Sequence, residues 1–194
     1  MKDVIAETAK IRALCNVACI CIFLTIGVHV MYVVLPLFFP RYSKNMEILG
    51  IIITYVTFAY GVCFYYRIWK LVEAPNDKLG AGWRIFLVFI PLVNWFAFYY
   101  LHYGFAKRAN NKLMILNQKK QMDEVSSGVL GALNFICWSS NKSSLWEKVD
   151  LGMCMLLFCV YILFIFLLIR WLIQAKRAAI NIILFSEFNR TERF

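Results

Sequence analysis

Four uncharged, apolar stretches, 13–39, 48–66, 85–106 and 151–169, are each long enough to cross a lipid bilayer as a helix. A hydrocarbon core of ~30 Å takes about 20 apolar residues at ~1.5 Å rise each. Inside lipid the backbone must satisfy its own hydrogen bonds, and these stretches are about twice as long as a barrel strand, so helices are expected. The composition agrees: 62% of residues are hydrophobic, 16% are charged and the mean hydropathy is +0.66. A soluble domain of this size has nowhere to place so much apolar surface. The expected fold is all-α, a polytopic transmembrane helix bundle with four spanning helices and a further surface or re-entrant segment.

The chain divides accordingly. Residues 1–12 form a basic N-terminal amphipathic segment, 13–106 hold transmembrane helices 1 to 3, and 107–150 make a long mixed connection. Residues 151–186 carry helix 4 with a basic extension, and 187–194 form a tail. The first stretch exceeds the apolar core of a signal peptide and is read as a helix. Within the connection, helix formers with interspersed charges predict a basic surface helix over 112–124, while 129–138 is apolar but too short to span. The latter suits a re-entrant piece or a partner surface.

In a four-crossing layout Lys and Arg divide almost evenly between the two sides. The second connection is more basic than the first, which places both termini in the cytoplasm. Lys107 and Arg108, directly after the third stretch, then fall on the unexpected side. An alternative has 85–106 dip and return at Pro91, because a proline frees a backbone carbonyl within a helix; it leaves three crossings and puts the basic tail outside, which is no better, so four crossings are the expectation.

Polar atoms inside the stretches are few. Thr25, His29, Thr54, Thr57, Asn94 and His102 are the candidates for lining a cavity or packing helices together. His102 lies among Tyr99, Tyr100 and Tyr103, as an interfacial aromatic belt requires, and Trp69, Trp83, Trp146 and Trp171 are expected at interfaces too. Lys107, Arg108, Lys112, Lys119, Lys120, Arg170, Lys176 and Arg177 are the candidates for facing lipid headgroups or a partner. No Asp, Glu, Lys or Arg lies within a stretch, which argues against ion-coupled transport and voltage sensing.

The seven cysteines show no Cys-x-x-Cys spacing, and two histidines complete no zinc set, so no metal or cofactor is expected. Nucleophile elbows, phosphate loops and paired carboxylates are also missing, so the chain does not read as an enzyme. A net charge of +10 is spread around span ends, where topology and lipid account for it without nucleic acid. Three readings follow: an oligomeric membrane scaffold or sensor that docks a cytoplasmic effector, an oligomeric channel, or an immunity or accessory protein that binds another membrane protein.

In size and layout, across the four stretches and the basic ends, the chain resembles the membrane subunit of the Kiwa anti-phage defence system. The resemblance implies a homo-oligomer in the bacterial inner membrane that senses envelope disturbance and works with a cytoplasmic effector, without being catalytic itself. It carries no diagnostic motif and assigns no residue a role.

Overall fold

A computed structural model describes residues 2–38, 43–74, 77–90, 93–140 and 151–191, and within these the chain is helical with no strand. Three long helices dominate: α1 (Lys2–Phe38), α2 (Ser43–Val72) and a last helix of 41 residues (Leu151–Thr191). Between them lie α3 (Ala81–Phe86), a 3-10 turn (Leu87–Phe89), α4 (Asn94–Tyr99), a π turn (Tyr100–Gly104), α5 (Phe105–Ile115) and α6 (Glu124–Ser140). The last helix is α7.

The contacts fix how these helices run. Glu7 of α1 pairs with Arg67 of α2 at 3.3 Å, and the Thr57 hydroxyl lies 3.4 Å from the Cys21 carbonyl, so α1 and α2 are antiparallel. Cys15 reaches the Leu172 carbonyl, while Ala18 and Ile22 share a cavity with Phe164 and Leu168, so α7 also opposes α1. Asn110 meets Met122, and Gly131 meets Tyr99, so α6 returns along α4 and α5. The start of α1 and the ends of α2 and α7 therefore share one end of the bundle, the near end.

The third apolar stretch is not one spanning helix. Arg84 and Arg108 both bind Oδ2 of Asp77, at 2.9 and 2.5 Å. A straight helix between those two arginines would be about 36 Å long, yet its ends meet on one carboxylate. The segment rises from the near end and comes back. Its first limb climbs from Arg84, over the Trp69 ring, to Phe89, which packs on Phe58. Trp69 and Phe58 are separated by about 17 Å of α2, roughly half the depth of a hydrocarbon core. The first limb stops at Ile90, which is extended (φ −84°, ψ 113°). That is the conformation forced on a residue before proline, because the pyrrolidine ring clashes with a helical predecessor.

The surface helix expected over 112–124 is also corrected. Helix α5 ends at Ile115 and α6 begins at Glu124. Asn117 adopts φ 55°, and Gln118 N–H and Asn117 N–H donate to the carbonyls of Leu113 and Met114. This is a Schellman stop with asparagine where glycine is usual, and it satisfies the last carbonyls of α5. Asp123 then starts α6, accepting the Ser126 N–H at 3.1 Å as an N-cap side chain does. The apolar piece 129–138 is the body of α6, a 17-residue helix. The tail expected at 187–194 is helical to Thr191, and 1–12 belongs to α1 from Lys2 onward.

Among the described residues one stretch, Phe158–Asn189, is long and apolar enough to cross a membrane, with a mean hydropathy of 2.2 over its most apolar 18 residues. The protein is helical and carries at least this one membrane-competent helix. The buried core lies toward the near end, where Ile11, Ile68, Phe105, Leu113, Leu130 and Ile182 are all but inaccessible. Alanines 175, 178 and 179 let α7 approach its neighbours closely.

Candidate functional site

Two features dominate the middle of the molecule: an ionic clamp at the foot of the hairpin, and an apolar cavity above it. The clamp is built on the 73–80 connection. Asp77 accepts from Arg84, Arg108 and the Ala74 N–H, and Glu73 accepts the Ala81 N–H at the start of α3. The Arg108 hydrogen bond, with Ala74 and Arg84 behind it, holds the Asp77 carboxyl well below the usual carboxylate range. Arg84 is buried, and its guanidinium lies 4.9 Å from the centre of the Trp69 ring. That cation–π contact faces nitrogens with no hydrogen-bond partner, Nε and Nη1, toward an aromatic surface. Lys112 donates to the Leu71 carbonyl in the last turn of α2, and burial lowers its pKa.

Above the clamp the π turn positions His102. The wider turn carries the imidazole between α2 and α7, where it is 1% exposed. Its Nδ1 lies 2.9 Å from the Phe98 carbonyl and its Nε2 lies 2.7 Å from the Tyr65 hydroxyl. A carbonyl only accepts, so Nδ1 carries the hydrogen and Nε2 accepts the phenolic proton. Trp171 stacks on Tyr65 at 5.3 Å and meets the His102 ring edge-on at 4.8 Å. Gly104 closes the π turn, because a Cβ there would lie 2.9 Å from the Tyr100 ring.

The cavity, about 260 Å³ and open on one side, is bordered by α1, α2, the hairpin and α7. Its wall is apolar, from Ala18, Val62, Val88, Leu101, Phe164 and Leu168, with Thr57, Tyr65 and His102 as its polar side chains. Thr57 turns its hydroxyl toward the Ile53 carbonyl at 2.8 Å. Phe58 and Phe89 are the exposed residues of the lining, and their rings meet edge to face at 5.3 Å.

A third polar group closes the near end. Asn110, fully buried, donates to the Met122 carbonyl and to Glu124, and accepts from the N–H groups of Gln121 and Met122. One side chain thereby satisfies the backbone of the α5–α6 connection. Beside it Arg170 pairs with Asp123 at 3.0 Å, and the Gln174 side-chain Oε1 accepts the Asp123 N–H.

Of the polar residues singled out in the sequence, Thr57 and His102 come together on the cavity wall. The side chains of Thr25, His29, Thr54 and Asn94 lie outside the described residues, although their backbones are helical. His102 is not a belt residue, and neither are Trp69 and Trp171, which are buried; Trp83 is exposed and Trp146 lies outside the described residues. Among the basic candidates, Lys107, Lys119, Lys120 and Arg177 are exposed. Arg108, Lys112, Arg170 and Lys176 bind within the molecule, Lys176 reaching the Asn16 side chain. Tyr65, Asp77 and Arg84 were not legible as site residues, since each acquires its role from a partner distant in sequence. The described residues contain no cluster of metal-ligating side chains. Comparison with known protein families, curated proteins and solved structures finds no match.

Proposed function

We propose that the chain is an oligomeric integral membrane scaffold or sensor, non-catalytic, with its packed basic end in the cytoplasm. One observation carries this reading: among the described residues every Lys and Arg except Lys44 belongs to segments of the near end. The even charge division of the sequence reading came from treating 85–106 as a crossing. With that segment returning to its starting side, Lys107 and Arg108 join the termini, and the charge bias becomes strongly one-sided, as the positive-inside rule requires. In this reading α1, α2, α6 and α7 cross, and α6 takes the place of the third stretch. The 17 residues of α6 are at the short limit for a span.

The far halves of these helices fit a lipid environment. Ile20, Phe23, Leu24, Ile52, Tyr55, Phe58, Phe158 and Ile162 are all exposed. Water does not tolerate such a contiguous apolar surface, and a bilayer or a second copy does. Lys107, Lys119, Lys120 and Arg177 are then available to a partner with acidic surface groups, which is the effector-docking role implied by the Kiwa-like layout in a bacterial inner membrane. A pore finds less support, because the cavity wall is apolar and its hydroxyls bond to nearby groups.

Topology tests the reading directly. On a background lacking native cysteines, Lys78→Cys and Lys119→Cys are expected to resist a membrane-impermeant maleimide in intact cells and to react after lysis. Lys44→Cys is expected to react in intact cells. The opposite pattern overturns the orientation. Loss of an effector on co-purification when Lys107, Lys119, Lys120 and Arg177 are neutralised is the expected result for docking, and retention sinks it.

A further inference from the structure

We infer that the cavity beneath Phe58 and Phe89 is a binding site for a membrane-soluble alcohol, an apolar chain ending in a single hydroxyl, taken up from the bilayer. This deepens the membrane reading above and rests on it for the source of the ligand. Three independent observations point to such a ligand.

The first is the cavity's size and surroundings. Apolar cavities stay dry, and about 150 Å³ is enough to hold benzene. About 260 Å³ with mainly aliphatic and aromatic walls holds a medium-length hydrocarbon chain better than it holds water. Its exposed edge, Phe58 and Phe89, is continuous with the apolar outer face of α2 that includes Tyr55 and Val56. A ligand therefore enters from the side that lipid covers.

The second is Gly61. A glycine inside a helix costs about 1 kcal/mol against alanine, and a packing reason normally accounts for it. Here a Cβ would meet nothing within 4 Å, and the residue lines the cavity. The missing side chain leaves room in the cavity and relieves no clash.

The third is the polar chemistry of the wall. His102 uses Nδ1 on the Phe98 carbonyl and Nε2 on Tyr65. Tyr65 gives its single proton to His102, so its oxygen has only lone pairs left to offer. Tyr65 lines the cavity, and a guest that bonds to this oxygen has to donate to it. A hydroxyl does so, an alkane does not, and a carboxylate brings an unpaired charge into an apolar wall.

The test uses the full chain in detergent micelles and in lipid nanodiscs, with a diazirine-bearing 1-decanol as photoprobe and 1-decanol, decane and decanoate as competitors. The expected result is saturable labelling of peptides containing Phe58, Phe164 or Leu168, with 1-decanol competing about tenfold better than decane, the worth of one hydrogen bond. Decanoate is expected not to compete. Gly61→Leu, which fills the space, is expected to abolish labelling, while Gly61→Ala retains it. Labelling spread over the outer faces and indifferent to Gly61→Leu overturns the site, as does equal competition by alcohol and alkane in the wild type. Retention of the chain in carbonate-washed membranes is followed in parallel. Retention without saturable labelling overturns the site and leaves the membrane reading intact. Release from membranes with saturable, Gly61-sensitive labelling in micelles upholds the site and overturns the membrane reading.

Discussion

The two halves of α7 invert what hydropathy alone suggests: the uncharged first half is the more exposed, and the second half, which carries Gln174, Lys176, Arg177 and Glu187, is the one that packs. In its first half Phe158 and Phe166 are each 62% exposed; in its second half Trp171 and Leu172 are each 2% exposed and Ala175, Ala178 and Ala179 are buried. Helix α2 repeats the pattern, from exposed Ile52, Tyr55 and Phe58 to buried Phe64, Ile68 and Trp69. The difference is in the neighbours. At the near end the hairpin, α5 and the start of α6 crowd around the long helices, so apolar side chains there bury against protein. Toward the far end fewer of the described elements surround them, and apolar side chains are left exposed. Hydropathy measures transfer out of water and does not distinguish these two destinations.

The most direct way to break this comparison is to truncate one aromatic residue in each half. Trp171→Ala is expected to cost about 3–5 kcal/mol, since it opens a cavity beside Tyr65, His102 and Phe105. Phe166→Ala is expected to stay within about 0.5 kcal/mol, as surface changes do. Unfolding in mild detergent measures both, and similar losses would mean that the far half is packed against a partner instead of lipid. Asp77→Ala comes close behind, at about 3–5 kcal/mol, because it leaves the buried Arg84 without its counter-charge. Thermal unfolding of the variant checks this, and Asp77→Ala with wild-type stability would show that the hairpin foot is held by Trp69 alone.

The next effect separates helix contact from lipid contact on α6. A Cβ at Gly131 would lie 2.7 Å from Cα of Tyr99, a clash with backbone that no side-chain rotation relieves. Gly131→Val is therefore expected to lose about 1–3 kcal/mol. The neighbouring Ala132, which is exposed, should accept valine with little loss. A circular-dichroism melt of the pair of variants reads the contrast directly.

Several of these features were visible in the sequence and several were not, for physical reasons. The long helices are legible because uncharged length forces them. The hairpin was half legible: Pro91 is a strong local signal, but only the meeting of Arg84 and Arg108 on Asp77 shows that the chain returns, and that contact is non-local. Trp69 and Trp171 looked like interfacial residues because a tryptophan near a span end suits a belt as well as it suits a core. Asn117 and the Asp123–Ser126 cap are local signals that do mark the stop and restart between α5 and α6, but the helix-forming residues around them outweighed both. Tyr65 carried no signal at all, since its hydroxyl has a role only once the π turn brings His102 within 2.7 Å.

The smallest expected effect sharpens the comparison from the electrostatic side. Arg170 and Asp123 are both partly exposed, so Arg170→Gln should cost no more than about 1 kcal/mol. Even that should vanish in 1 M salt, where screening acts within about 3 Å. Asp123 itself also accepts from Ser126, and that hydrogen bond above all lowers its pKa in the folded chain. A carboxyl held below its unfolded value of about 3.9 gives its full contribution above that pH and loses it as pH falls through the folded value. Asp77, lowered in the same direction, adds to the same acid limb. Wild-type stability should therefore decline below about pH 4, and Asp123→Asn should flatten part of the decline. Hydrogen exchange in nanodiscs would locate the loss. Protection should fall first around α5, the start of α6 and the 73–80 connection, where the carboxylates sit. The far half of α7 holds its backbone with intrahelical bonds and has no carboxylate to titrate, so it should stay protected across the same range.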